Sequence, residues 1–203
     1  EIPHITTDFE LTVQAARAIA TAPGWLDSLR DAESLQRVGK LKHWLSQHEP
    51  ISDYELALKL QLAAWMPEIV PVAQRQAAID MLWRQQLDDG GWSTRRMCPL
   101  MKWHIEMDPK VTRMIQSEPD ADAPASDPYM TAFAIVLLRQ AGIPARDARI
   151  QNGITWLKAN QRVSGRWWMK SLYRDTYHYS TYISTAQAMR ALALCDVIPG
   201  LEP

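Results

Sequence analysis

The sequence predicts an all-α fold, a partial α/α toroid of about seven main helices in alternating inner and outer layers. Three observations lead to this prediction. Apolar residues recur with helical spacing, without the alternation typical of strands. Two kinds of helix alternate along the chain, and two stretches of sequence recur.

Helices are predicted wherever apolar residues recur at helical spacing between capping residues. The predicted ranges are 7–21, 28–47, 52–66, 71–87, 127–141, 146–161 and 181–195. Ser52 and Glu55 have the spacing of a capping box. Ser28 and Asp127 are also placed as N-terminal caps, and Gly142 as a C-terminal stop.

The helices differ in how their apolar residues are distributed. The first, third, fifth and seventh are rich in alanine and apolar nearly all round, as in residues 131–138. Such helices are surrounded by other protein. The second, fourth and sixth carry charges on one face, which is typical of a helix with one face in water. Inner helices alternating with outer ones are the plan of an α/α solenoid or toroid.

The chain also matches itself. Residues 86–92 and 161–167 both read Q-x-x-x-G-x-W and lie 75 residues apart. A second match joins residues 4–20 to residues 178–193, each a histidine followed by an alanine-rich helix. Both matches support a repeated architecture.

We expect residues 1–203 to form a single repeat domain that is part of a larger protein, because the chain starts at Glu1. Residues 93–126 form a long insertion with a short helix at about residues 99–108. An arc of seven helices exposes apolar surface at its ends. We therefore expect the rest of a parent polypeptide, or another copy, to cover those ends.

Composition excludes several classes of partner. The 22 basic and 23 acidic residues give a net charge of −1, which provides no case for nucleic acid or an anionic membrane surface. No apolar run reaches the length of a transmembrane segment. Composition does not determine the cellular compartment of the protein. One alternative is export to the periplasm within a larger processed protein.

The Q-x-x-x-G-x-W pattern resembles the QW motif of squalene and oxidosqualene cyclases. The chain as a whole resembles the squalene-cyclase and prenyltransferase repeat family, closely over residues 50–195 and more loosely over residues 1–49. The resemblance implies an α/α toroid in which the motif is a structural clamp between outer helices. Family members act on terpenoids, so an apolar isoprenoid is the implied ligand.

The chain departs from the family at the catalytic positions. The resemblance places Asp127 at the start of the cyclase D-x-D-D-T-A motif, but Tyr129 and Met130 replace its catalytic carboxylates. The prenyltransferase zinc site needs an Asp-x-Cys pair, and neither Cys98 nor Cys195 has an aspartate two residues before it. We therefore expect no metal and no cofactor.

Candidate site residues come from the helix starts, the insertion and the second motif. The candidate catalytic residues are Asp127, Asp175 and His178. The candidate ligand-binding residues are His4, Trp103, His104, Tyr129, Arg166, Trp168, Tyr177, Tyr179 and Tyr182. The alternative is that the histidines cap helices and pack against aromatic rings. Methionines beside His104 could hold copper(I) or serve a haem, or could belong to an amphipathic lid.

Two functions remain open on the sequence. The first is a non-catalytic binding or scaffold module, favoured by the missing carboxylates, the missing zinc ligands and the short arc. The second is a terpenoid cyclase or transferase with an apolar, aromatic-lined pocket, in which rings stabilise a carbocation.

Overall fold

The structure is a computed structural model that describes residues 8–98, 125–170 and 179–198, together with Lys110 and Arg113. Within these residues the fold is all-α, as predicted. The α-helices are α1 (Asp8–Thr21), α2 (Trp25–Ser28), α3 (Ala32–Gln47), α4 (Asp53–Ala63), α5 (Val72–Gln85), α6 (Thr94–Met97), α7 (Pro128–Gln140), α8 (Ala148–Ala159) and α9 (Tyr182–Leu194). A 3₁₀ turn spans Pro67–Ile69, and a two-residue strand, β1 (Met169–Lys170), pairs antiparallel with β2 (Tyr179–Ser180).

Seven of these helices match the seven predicted ones, and a capping side chain begins four of them. Ser52 caps α4 by accepting the Glu55 N–H at 3.2 Å, which confirms the predicted capping box. The predicted start of α3 at Ser28 is wrong. Ser28 ends the one-turn helix α2, and α3 is capped by Asp31, which accepts the Ser34 N–H at 2.7 Å. The extended backbone between α2 and α3 separates the two helices.

The chain divides into two compact units, with the boundary inside α5 between Met81 and Leu82. In the first unit, α1 packs against α2, α3 and α4, and the 3₁₀ turn packs against α3 and α4. Helix α4 is the centre of this unit, because nine of its eleven residues are buried. In the ranges that the structure describes, no helix has the length and apolar character needed to span a bilayer.

Buried charges lie beside the apolar core of the first unit. The Lys59 side chain is fully buried, and its Nζ donates to the Leu45 carbonyl at 2.6 Å near the C-terminus of α3. The ammonium also lies 5.6 Å from the centroid of the Phe9 ring. A helix C-terminus and an aromatic face both attract a cation. Helix α4, which carries Lys59, also carries Glu55, whose Oε2 lies 2.8 Å from His48 Nε2.

The second unit is organised around α7, of whose thirteen residues eleven are buried. Helix α9 packs along α7, and α8 packs against it from another side. Two turns with the same sequence pattern follow α5 and α8. We name them turn A (residues 86–92) and turn B (residues 161–167). The short helix α6 follows turn A within the predicted insertion, whereas the helix predicted at residues 99–108 lies outside the described residues.

The prediction of four helices buried nearly all round is confirmed for α4 and α7 and wrong for α1 and α9. Leu11 of α1 is 55% exposed, and Tyr182 and Met189 of α9 are 86% and 41% exposed. Helix α9 packs along α7 on one face, which leaves its opposite face in solvent. An alanine-rich sequence therefore indicates close packing without fixing how many faces are covered.

Replacing Lys59 by methionine tests the buried ammonium. Burial lowers the pKa of Lys59 from its ordinary value of 10.5, so the folded chain binds fewer protons than the unfolded chain between those two values. The free energy of unfolding of the natural chain should therefore rise with pH across this window, relative to Lys59→Met. Urea unfolding of both proteins at several pH values measures the difference. A difference that is constant with pH would contradict the expectation.

Candidate functional site

Turn A and turn B are closed by the same hydrogen bonds. The side-chain Nε2 of Gln86 donates to the Gly90 carbonyl at 2.9 Å, and that of Gln161 donates to the Gly165 carbonyl at 2.9 Å. Both glycines have positive φ angles, +90° and +78°, a backbone conformation that glycine adopts without strain. The glutamine and the glycine of the motif therefore have a structural role in each copy.

The tryptophan of each turn packs back onto the helix before it. Trp92 is fully buried, and its Nε1 donates to the Leu82 carbonyl at 2.7 Å. Trp167 is 2% exposed, and its Nε1 donates to the Leu157 carbonyl at 2.7 Å. Because a buried indole N–H needs an acceptor, these bonds let the large ring fill the core beside the helix.

A threonine on a later helix, α7 or α9, completes each turn. The Trp92 N–H donates to Thr131 Oγ1 at 2.9 Å, and the Thr131 hydroxyl donates back to the Trp92 carbonyl at 3.3 Å. In turn B the Trp167 N–H donates to Thr185 Oγ1 at 3.1 Å, and the hydroxyl donates back at 3.0 Å. The two turns are therefore joined to α7 and α9 in the same way.

These threonines were not among the predicted site residues. The sequence match aligned Thr185 with Thr12, but the Thr12 hydroxyl donates to the Asp8 carbonyl of its own helix at 2.6 Å. The sequence signal that identifies these two threonines is a Thr-Ala dipeptide after each motif copy, at Thr131 and at Thr185, 54 residues apart.

Turn A also holds the first turns of α8. Gln86 Nε2 donates a second time, to the Arg149 carbonyl at 2.8 Å. The Arg149 guanidinium lies 3.7 Å from the Trp83 ring centroid. Further along α8, Trp156 Nε1 donates to Asp89 Oδ2 at 2.9 Å. Turn A therefore joins α5, α7 and α8.

Two glycines allow this joint to close. A Cβ atom at Gly90 would lie 2.9 Å from the Asn152 carbonyl oxygen of α8. A Cβ atom at Gly153 would lie 3.0 Å from both the Trp92 ring and the Ile135 side chain of α7. A side chain at Gly90 would therefore collide with the α8 backbone, and one at Gly153 would require its neighbouring side chains to shift.

The carboxylate of Asp127 links α6 to α7. One oxygen accepts the Met130 N–H at 2.8 Å as the N-cap of α7, and the other accepts the Thr94 N–H of α6 at 2.6 Å. Tyr129 is buried, and its ring stacks on Phe133 with 5.8 Å between centroids. Asp127 thus has a structural role in helix capping, and its catalytic role stays a prediction.

A cleft with a volume of about 390 Å³ opens beside Asp127. It brings Asp127 together with Trp168, two of the predicted site residues. The Arg162 guanidinium lies 4.3 Å from the Trp168 ring centroid. Sequence reasoning missed Arg162, which occupies a variable position of the second motif copy, and Arg95, which lies outside both copies. The lining residues are Ser93, Arg95, Ala125, Ser126, Asp127, Pro128, Trp156, Asn160, Arg162, Trp168 and Met169.

The remaining predicted residues fall into two groups. Arg166 and Tyr182 are exposed and do not line the cleft. The other predicted residues lie outside the described residues, except Tyr179, of which the backbone is described in β2 and the side chain is not. They are His4, Trp103, His104, Asp175, Tyr177, His178 and Tyr179. Comparison of the chain with protein-family models and with curated proteins gives no match in either case.

Alanine replacements of the two motif glutamines should differ in cost. Gln86 donates to two carbonyls, one of them on α8, whereas the Gln161 amide donates to one carbonyl among the described residues and is exposed. We expect Gln86→Ala to lower the free energy of unfolding by about 1–3 kcal/mol and Gln161→Ala by about 0.5 kcal/mol. Urea unfolding of the two variants measures both values. Equal losses would contradict the assignment of the second bond.

Proposed function

We propose that this chain is a squalene-cyclase-like repeat domain of the α/α-toroid type that serves as a binding or scaffold module and not as a terpene cyclase. One observation carries the proposal. The glutamine, glycine and tryptophan of both motif copies make matching hydrogen bonds, and each copy is joined to a threonine, on α7 for the first copy and on α9 for the second. The repeated residues thus serve to hold helices together, as a structural clamp does.

The surroundings of Asp127 argue against cyclisation. A cyclase acid must present a proton to an alkene and needs a neighbouring carboxylate to stay protonated. Both Asp127 oxygens instead accept backbone N–H groups, and among the described residues that line the cleft Asp127 is the only carboxylate. Arg95 and Arg162 line the same cleft, and their positive charges oppose the carbocation that cyclisation creates.

The same cleft supports a binding role. Arg162 lines the cleft with a guanidinium group, which suits phosphate and carboxylate groups, and Trp156 and Trp168 add flat apolar surface. Within the isoprenoid class suggested by the resemblance, a molecule with an anionic group and an apolar chain therefore fits this cleft better than a neutral hydrocarbon does.

Two variants of Asp127 separate a structural cap from an acid catalyst. Asparagine is also a good N-cap, so Asp127→Asn should cost less stability than Asp127→Ala, for which we expect a loss of about 1–2 kcal/mol. Thermal and urea unfolding measure these losses. Incubation of the natural chain with squalene, followed by mass spectrometry, should give no cyclic product. A cyclic product that disappears in Asp127→Asn would overturn the proposal.

Binding in the cleft is tested with two ligands that share one apolar chain. Farnesyl phosphate should bind at least about tenfold more tightly than farnesol, because a charge-assisted hydrogen bond contributes more than a kilocalorie per mole. Calorimetric titration measures both affinities. Arg162→Ala should remove the preference, while Arg84→Ala, an exposed arginine on α5 outside the cleft, should keep it. Equal affinities, or no binding of either ligand, would contradict the binding role.

A further inference from the structure

At turn A, helix α8 packs on the glutamine and the glycine of the motif. At turn B, no described helix packs on the equivalent residues. Among the described residues, the Gln161 amide donates to the Gly165 carbonyl and has no second carbonyl like that of Arg149 at turn A. A Cβ atom at Gly165 would have no atom of the described residues within 4 Å, whereas at Gly90 it would collide with α8. The groups that receive a helix at turn A are therefore also present at turn B, where no described helix packs on them.

The helix beside turn B has a matching open face. Thr131 and Thr185 occupy equivalent positions, and the same offset aligns Ile135 of α7 with Met189 of α9. Ile135 is fully buried and would touch a Cβ atom placed on Gly153 of α8. Met189 is 41% exposed. The side chain that α8 covers on α7 thus has an uncovered counterpart on α9.

The backbone after α9 turns as it does after α7. The Ile143 N–H donates to the Leu138 carbonyl at 3.0 Å, and the Val197 N–H donates to the Leu192 carbonyl at 2.9 Å. After α7, this turn leads directly into α8. The described backbone after α9 therefore makes the same turn hydrogen bond as the backbone that precedes α8.

We infer that turn B and the open face of α9 form a docking surface for one further helix, seated as α8 is seated on turn A and α7. The docking surface consists of residues 161–166 with Tyr182, Ala186 and Met189. Its occupant is an outer-type helix of a following repeat, with a backbone carbonyl in its first turn to accept from Gln161 and a small residue where it crosses Met189. The inference rests on the proposed function as a repeat module.

The occupant is a helix of this kind because each group on the docking surface has an equivalent at turn A or on α7 that contacts α8. The glutamine amide meets a first-turn carbonyl, the glycine meets helix backbone, and the apolar side chain meets a glycine. These three groups lie on two different elements, so a partner must reach both the turn and the helix. A helix packed like α8 meets all three requirements.

The test attaches a copy of α8 to the full chain. A flexible Gly/Ser linker after Pro203 is followed by a copy of residues 144–160, which brings the added helix to an effective concentration in the millimolar range. The melting temperature should rise by about 3 °C or more over that of the unextended chain. Amide hydrogen exchange in turn B should slow at the same time.

Two variants make this test specific. Gly153→Leu in the added copy alone should abolish the rise, because a side chain at the crossing point prevents close packing. Met189→Lys in the docking surface should also abolish the rise. Since Met189 is exposed, this change should leave the melting temperature of the unextended chain within about 1 °C of its starting value.

Three outcomes would overturn the inference. The first is no rise in melting temperature, and the second is a rise that survives both variants. The third is a dimer of the unextended chain, seen by sedimentation velocity, that Met189→Lys dissociates, because a second copy would then occupy the surface. Arg162 belongs to both the cleft and the docking surface. The squalene and farnesyl phosphate experiments use the unextended chain, whereas the docking test uses the added helix with Gly153→Leu and Met189→Lys, so the proposed function and the docking surface can fail separately.

Discussion

The second unit depends on how the main-chain N–H and carbonyl of Trp92 find hydrogen-bond partners. A helix that ends inside a protein leaves polar backbone groups that need partners, and water cannot reach them there. One threonine hydroxyl serves both the N–H and the carbonyl of Trp92, because a hydroxyl can accept and donate at once. Since that threonine lies on α7, satisfying the backbone of the turn also fixes the position of the turn relative to the next helix.

In the first unit, a buried charged side chain binds the backbone carbonyls at a helix end. The last carbonyls of α3 face α4, and Lys59 brings a buried ammonium to them in place of a turn of fixed sequence. The arrangement is sensitive to protonation, whereas the amide and indole groups of turn A have no proton to lose in the ordinary pH range. The Lys59 contact therefore depends on pH, whereas the amide and indole hydrogen bonds of turn A do not.

The helix positions could be predicted because they depend on local signals. The spacing of apolar residues and caps such as Ser52 are visible in the chain itself, and the second motif copy located turn B. The start of α3 could not be predicted, because Ser28 and Asp31 are both good caps and the choice depends on the backbone between them. Propensity alone does not make that choice.

The site was harder to predict than the fold. Asp127 and Trp168 were identified from the sequence, but the cleft between them depends on Arg162 and Trp156, whose closeness results from packing of separate elements. The exposed face of α9 was missed for a related reason, since composition does not report how many neighbours a helix has.

The two motif glycines have a consequence for natural variation. Gly90 is constrained by its positive φ and by the α8 backbone, so any side chain there collides. Gly165 is constrained by φ alone unless a helix is docked on turn B, and asparagine tolerates such an angle. Where the docking surface is empty, asparagine at position 165 is an acceptable substitute, and where it is filled, glycine is required. The residue at that position would thus record whether the surface has had a partner over evolutionary time.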